Sequence, residues 1–360
     1  MMTPKIKFFH RKNIKMALFG ALLVSLTPGS FTPSSLFSAE TLPKPWLKIS
    51  SHTLLSGARD FTPQPSQELT FHHPLMTIRV YARKFIPGEP AYIEVIPKEG
   101  ENLDHYQFSF HEIEILLTRY DWGYRGFFPI SPYLNDQIKK TKDYMLEVTP
   151  PGHLAHLEKK YPLSIYKANF FTSRTTLNVG KYARSEKTRQ ELRQIEEGRK
   201  KKSQAYATLT SNMINNKISH PRDFHYITSP FWSKRIYARY KKKGGKKIYQ
   251  KPRVSIHQGL DFRAPEGAPI YAIASGRVVL AEKLYYEGNC VIVNHGNAIF
   301  SVYSHMSELK VYQHQYVRAG RLLGLSGETG QVTGPHLHLA LYINGVPVNP
   351  LGFLSLPIRN

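Results

Sequence analysis

Residues 336–343 read His-Leu-His-Leu-Ala-Leu-Tyr-Ile, and this alternation constrains the chain more than any other stretch of it. Side chains of a strand point to opposite faces in turn. Leu337, Leu339, Leu341 and Ile343 therefore form an unbroken apolar row that has to lie on a core, while His336 and His338 stand side by side on the other face with Ala340 and Tyr342. Asn344-Gly345 follows, a two-residue hairpin signal. Residues 278–281, 290–294 and 298–305 read as further strands, with turns at Gly276, Gly288-Asn289 and Gly296-Asn297. The expectation is a mainly β chain with an antiparallel β domain over residues 216–360.

Upstream, residues 77–81, 91–96, 106–110, 114–120 and 144–148 are short strand-like runs between turn residues such as Pro87-Gly88 and Pro150-Pro151-Gly152. That spacing predicts an immunoglobulin-like β-sandwich over residues 45–180. His111-Glu112 lacks the second histidine of H-E-x-x-H and is read as part of a strand. Residues 181–215 are charge-dense, with no proline between 185 and 207, and read as a basic helical linker.

Charge is placed unevenly. The net formal charge is +23, and residues 181–253 hold 21 Lys/Arg against 5 Asp/Glu, whereas residues 254–360 hold 7 against 6. Lys241, Lys242, Lys243, Lys246 and Lys247 surround Gly244-Gly245, so two strand-like pieces read as a hairpin with a cationic tip. At the start, Lys5, Lys7, Arg11, Lys12 and Lys15 precede an uncharged apolar run from Met16 to Leu26. That run falls short of the about 20 residues that cross a bilayer and suits a signal peptide or N-terminal membrane anchor over residues 1–39. The expected location is the periplasm or cell envelope. Export, and a lysine run with no interleaved aromatics, exclude the nucleic-acid partner that charge alone would suggest.

A single cysteine, Cys290, excludes internal disulfides and multi-cysteine metal sites; in its apolar strand it reads as a buried inert thiol. Histidine remains. His257 and Asp261 are four apart, with Gly259, Pro265, Gly267 and Pro269 arguing for extended chain. His305 closes a strand on whose alternation it shares a face with Ser301 and Tyr303. Two neutral histidines and a carboxylate are a catalytic zinc set with one position left for water, and the remaining imidazoles suit proton transfer and oxyanion stabilisation.

These residues carry a resemblance. His257-Gln258-Gly259-Leu260-Asp261-Phe262-Arg263-Ala264-Pro265, Tyr303-Ser304-His305-Met306-Ser307, Thr329-Gly330, Thr333-Gly334-Pro335-His336-Leu337-His338 and Val348-Asn349-Pro350 resemble the motifs of the lysostaphin-type zinc metallopeptidases, bacterial cell-wall endopeptidases with the LytM-like fold. Met306 stands where the family usually has Leu, and Ser229-Pro230-Phe231-Trp232 resembles its S-P-F-G lead-in with Trp232 in place of Gly. The resemblance implies one zinc ion held by His257, Asp261 and His338, catalytic imidazoles His305 and His336, and a cleft lined by Tyr303 and Asn289. It implies peptidoglycan as the partner, whose anionic character suits the lysine tip. The alternative is a non-enzymatic wall-binding regulator that activates another murein hydrolase; such relatives typically lack the zinc ligands, and this chain retains all three.

Overall fold

A computed structural model describes residues 66–178, 187–215, 217–223 and 226–359. The apolar run at Met16–Leu26 and the proposed limits at 39, 45, 180 and 181 lie outside the described residues. Among those residues, no helix is long and apolar enough to cross a membrane.

The first β unit is two sheets closed on one core. One sheet runs Gln67–His73, Met76–Ala82, Pro90–Pro97, Gly123–Pro129, Thr118–Tyr120; the other runs Ile113–Glu114, Gln107–Phe110, Thr141–Thr149, Lys159–Tyr166. Period two is plain in Met76–Ala82, where Met76, Ile78, Val80 and Ala82 are buried and the residues between them are half-buried. They meet Phe108, Phe110, Leu146, Val148, Leu163 and Ile165 of the opposite sheet, each such side chain contributing about 1.5–3 kcal/mol on burial. The layering is the expected sandwich, but the strand order is not the immunoglobulin one. The first three strands form a meander in a single sheet, where the immunoglobulin order sends the third strand across. Two local readings also change. His111 and Glu112, at φ 47° and 66°, are the turn of a two-residue hairpin and not strand. The run 114–120 divides between the two sheets, because Ile115 turns inward and its N–H bonds the Phe108 carbonyl at 2.8 Å.

Helix Arg189–Tyr206 starts at a reciprocal cap: Thr188 Oγ1 accepts from the Glu191 N–H, and the Glu191 carboxylate accepts from the Thr188 N–H. It is a helix as expected, but not a free linker. Gly198 and Ala205 are buried, a Cβ on Gly198 would stand 3.6 Å from Leu284, and Tyr206 packs edge-on against Phe300 at 5.3 Å. The helix lies across the second β unit.

That unit is one large antiparallel sheet, ordered Ile227–Ser229, Leu260–Arg263, His336–Ile343, Ile299–Leu309, Gly288–Gly296, Gly276–Leu284, Tyr316–Val317, with Pro269–Tyr271, Leu322–Ser326 and Val346–Val348 alongside. Leu337, Leu339, Leu341 and Ile343 are fully buried in its core, as the alternation requires. Asn344 and Gly345, at φ 50° and 74°, make the expected tight turn. On the opposite face, Ala340, Val302 and Phe300 lie under the helix with Tyr206 and Tyr342, leaving the His336 end uncovered.

The two β units are not independent. Tyr92 and Phe127 of the first belong to the same core as Phe353 of the second, with Phe127 and Phe353 rings 5.9 Å apart. Arg125, 1% exposed, donates to the carbonyls of Ile214 and Arg359. A boundary at 216 therefore cuts through a core. The cationic hairpin, Lys234–Lys243 and Lys246–Ile256, forms as read, turning at Gly244-Gly245; strand Thr172–Asn178 adds to it in parallel.

Candidate metal centre and active site

The strands fix where the site residues meet. Leu260–Arg263 pairs with His336–Ile343 so that Asp261 lies directly opposite His338 and Arg263 opposite His336. Cross-strand partners share a face, so Asp261 and both histidines project together. His257 enters from the end of the hairpin, its N–H bonded to the Ser233 carbonyl at 3.0 Å and its carbonyl accepting from Trp232 N–H at 2.8 Å. Gly259 makes room: a Cβ there would lie 2.5 Å from Cε1 and 2.7 Å from Nε2 of His338.

Three donor atoms converge. His257 Nε2 is 3.0 Å from Asp261 Oδ1 and 3.0 Å from His338 Nδ1, and His338 Nδ1 is 2.8 Å from Asp261 Oδ1. His257 Nδ1 faces the Pro230 carbonyl at 3.1 Å. A carbonyl only accepts, so Nδ1 carries the proton and Nε2 presents a lone pair. That lone pair confronts a carboxylate oxygen, and two acceptors 3.0 Å apart need a positive centre between them. Zinc ligands bonded at about 2.0–2.1 Å in a tetrahedron stand roughly 3.3 Å apart, close to the spacing found. The Pro230 carbonyl is also the kind of outer partner that orients a ligating histidine. These three residues fit a metal ion. Burial works to raise the Asp261 carboxyl, but His257 and His338 close beside it hold it well below the usual carboxylate range.

His336 and His305 flank this set, their rings 5.0 Å apart. His336 Nδ1 is 2.8 Å from the Gly334 carbonyl, and His305 Nδ1 is 3.0 Å from the Thr329 carbonyl. By the same reasoning each carries its proton on Nδ1 and offers Nε2 as a base; His336 Nε2 is 3.8 Å from Asp261 Oδ1. Burial, with the neighbouring His338 and His336, pushes His305 down to about 3, so it is neutral at ordinary pH.

His305 reaches the site by a route that alternation does not give. It sits at φ 67°, in a register shift where Asn289 pairs with Met306 but Val291 with Tyr303. This bulge turns His305 to the side of Ser304 and His338 and returns Met306 to the core. Tyr303 stays behind. It is fully buried, its hydroxyl accepting from Ile273 N–H at 2.9 Å and lying 3.1 Å from Ser301 Oγ. Tyr303 is thus a core residue and does not line the cleft. Asn289 stands one bond away from the histidines: its N–H donates to Thr329 Oγ1 at 2.9 Å and its Nδ2 to the Ser307 carbonyl at 3.0 Å, bracing the loop whose carbonyl holds His305. Cys290 is buried and its thiol pushed up to about 12, chiefly by burial, as an inert residue should be.

Tyr133 was not legible as a site residue. It comes from the first β unit, 57% exposed, its ring edge-on to Trp232 at 5.0 Å and its hydroxyl 3.5 Å from Gln258 Nε2, next to His257. Trp232 itself sits at φ 60°, where glycine is at ease and a bulky side chain costs about 1–2 kcal/mol. Phe231 and Phe170, at 5.6 and 6.2 Å, hold it there with Tyr133.

The sequence profile of Peptidase family M23 matches residues 255–350, the span that holds all five converging residues. The chain carries an M23 metallopeptidase domain. This M23 domain is 46% identical over 99 residues to peptidoglycan DD-endopeptidase ShyA of Vibrio cholerae, covering 28% of this chain and 23% of that one. It is 40% identical over 102 residues to DD-carboxypeptidase/endopeptidase Mpg of Neisseria meningitidis, covering 28% and 23%. The chain thus spans about a quarter of the length of these curated relatives. A crystal structure of a Pseudomonas aeruginosa protein assigned to peptidase M23 aligns over 76% of this chain and 96% of its own, with TM-score 0.52 and 24% identity; it shares the fold, first β unit included.

Proposed function

We propose that the protein is an exported, zinc-dependent endopeptidase that hydrolyses peptide cross-links of bacterial peptidoglycan. The observation that carries this reading is the convergence of His257 Nε2, Asp261 Oδ1 and His338 Nδ1 beside two further imidazoles whose Nε2 lone pairs are free for chemistry. A zinc ion held by the three donors supplies Lewis acidity and makes a water nucleophilic near neutral pH. His305 or His336 takes the proton of the attacking water. The imidazole that took it, now protonated at Nε2, donates to the oxyanion of the tetrahedral intermediate and returns that proton to the leaving amine. The names of ShyA and Mpg support a D,D cross-link as the bond cut. Export rests on the basic-then-apolar start of the sequence.

The complete donor set argues against the non-enzymatic regulator. Digestion of purified sacculi by the zinc-loaded protein, read by mass spectrometry, tests the proposal. Soluble fragments carrying a new amine and a new carboxyl at the cross-link are expected, and a chelator should abolish them. Sacculi left intact by zinc-loaded protein would refute it.

A further inference from the structure

The sheet of Thr172–Asn178, Lys234–Lys243 and Lys246–Ile256 contributes to none of the core clusters among the described residues. A sheet without a buried face is marginal in water, and this one adds repulsion. Lys242 faces Lys247 and Lys243 faces Lys246 directly across the hairpin, an arrangement that destabilises. Residues 234–256 carry ten Lys/Arg and no acid. The chain maintains a cationic arm that its own packing does not reward.

The register sorts those charges by face. Arg235, Tyr237, Arg239, Lys241 and Lys243 share one face with their partners Ser255, Arg253, Gln250, Ile248 and Lys246. The other face holds Lys234 with Ile256, Ile236 with Val254, Tyr240 with Tyr249, and Lys242 with Lys247; Tyr240 and Tyr249 rings lie 5.9 Å apart. One face is thus a cationic row of Arg235, Arg253, Arg239, Lys241, Lys243 and Lys246, roughly 30 Å long at about 3.4 Å per residue. Its inner end is tied to the metal centre: Arg235 donates to Ser229 Oγ at 3.1 Å, and Ser229 Oγ is 3.3 Å from His257 Nδ1.

We propose that this face is a docking surface for the substrate polymer, a linear carboxylate-bearing strand of peptidoglycan that lies along the row and enters the site at its Arg235 end. The inference rests on the endopeptidase reading for the identity of the polymer. A row spaced along an arm matches a linear polyanion. A membrane surface needs a single apolar face beside the charges, and here the exposed Ile248 and Tyr249 point to opposite faces.

The test is co-sedimentation of the full-length protein with insoluble sacculi at low and high salt, with vesicles containing phosphatidylglycerol as a second arm. A row variant, Arg239→Gln with Lys241→Gln and Lys243→Gln, should lose at least about tenfold in sacculus binding at low salt, and wild-type binding should fade at high salt. An opposite-face variant, Lys242→Gln with Lys247→Gln, should stay within about twofold. Lys241→Gln alone, at an exposed position, reads the same trend if the triple variant folds poorly. Equal losses in the two variants, or none in the row variant, would overturn the proposal. So would strong vesicle binding that the row variant loses, which would assign the face to a membrane. Wild-type protein that binds sacculi through the row but releases no fragments would refute the endopeptidase reading and leave the docking surface standing.

Discussion

The strand His336–Ile343 and the hairpin Lys234–Ile256 meet at the candidate metal centre, yet they are built on opposite terms. In the strand, every second residue is fully buried, and a slip of one position would expose the whole apolar row. The register is therefore fixed, and with it the pairing of Asp261 against His338. In the hairpin the tip residues 241–249 are all exposed, no core fixes the register, and the tight Gly244-Gly245 turn has to set it alone. Burial fixes where Asp261 and His338 stand, and its absence leaves the hairpin free to carry charge that a core would exclude.

The largest effect expected from breaking the buried side is on turnover. His305→Ala and His336→Ala remove a proton acceptor and oxyanion donor while leaving all three donor residues in place, so the rate should fall by about 10²–10⁴-fold in protein that still binds metal. Sacculus digestion beside metal analysis checks this, and full activity in either variant would remove that histidine from the mechanism.

Stability sharpens the same contrast. Leu339→Ala, in the fully buried row, should destabilise by about 2–5 kcal/mol. Ile248→Ala, 51% exposed on the hairpin, should change stability by less than about 0.5 kcal/mol. Denaturant unfolding of both variants reads the difference, and similar losses would mean that the hairpin has a core of its own.

A smaller effect comes from His295, buried in the strand Gly288–Gly296 beside the strand that carries His305. Its Nδ1 donates to the Ser275 carbonyl at 2.8 Å, and its Nε2, 2.7 Å from Ser301 Oγ, accepts from that hydroxyl. Burial pushes it down to about 4 from 6.5. The unfolded chain then binds more protons between those values, so stability is present at neutral pH and falls as pH drops through the window. Between pH 7 and pH 5 the His295 contribution to the loss should be about 2 kcal/mol, measured with a chelator present so that metal release does not contribute. A flat profile would mean that His295 is already protonated in the folded protein.

Much of this was legible in the sequence because period two is legible. Leu337 to Ile343, the Asn344-Gly345 turn and the shared face of His336 and His338 follow from it directly. His305 and Tyr303 show where it fails: a left-handed residue at 305 inserts a bulge, so alternation groups two side chains that the structure sends to opposite sides. The docking of helix Arg189–Tyr206 leaves little trace in sequence, since Gly198, Ala205 and Tyr206 supply its buried contact and ion pairs from Lys201 and Lys202 to Glu282 and Glu287 supply much of the rest. The joint between β units rests on Tyr92, Phe127 and Phe353, residues that any core would hold. Tyr133 reaches Trp232 and Gln258 from the first β unit.

The central claim is that the two histidines of His336-Leu337-His338 have different tasks, set by which ring nitrogen faces the site. Zinc stoichiometry of purified His338→Ala and His336→Ala tests it most directly. The geometry predicts that His338→Ala is depleted of zinc and inactive, because Nδ1 of that residue is one of three donors, and that His336→Ala keeps one zinc per chain without turning over. Retained zinc in His338→Ala together with its loss in His336→Ala would contradict the account.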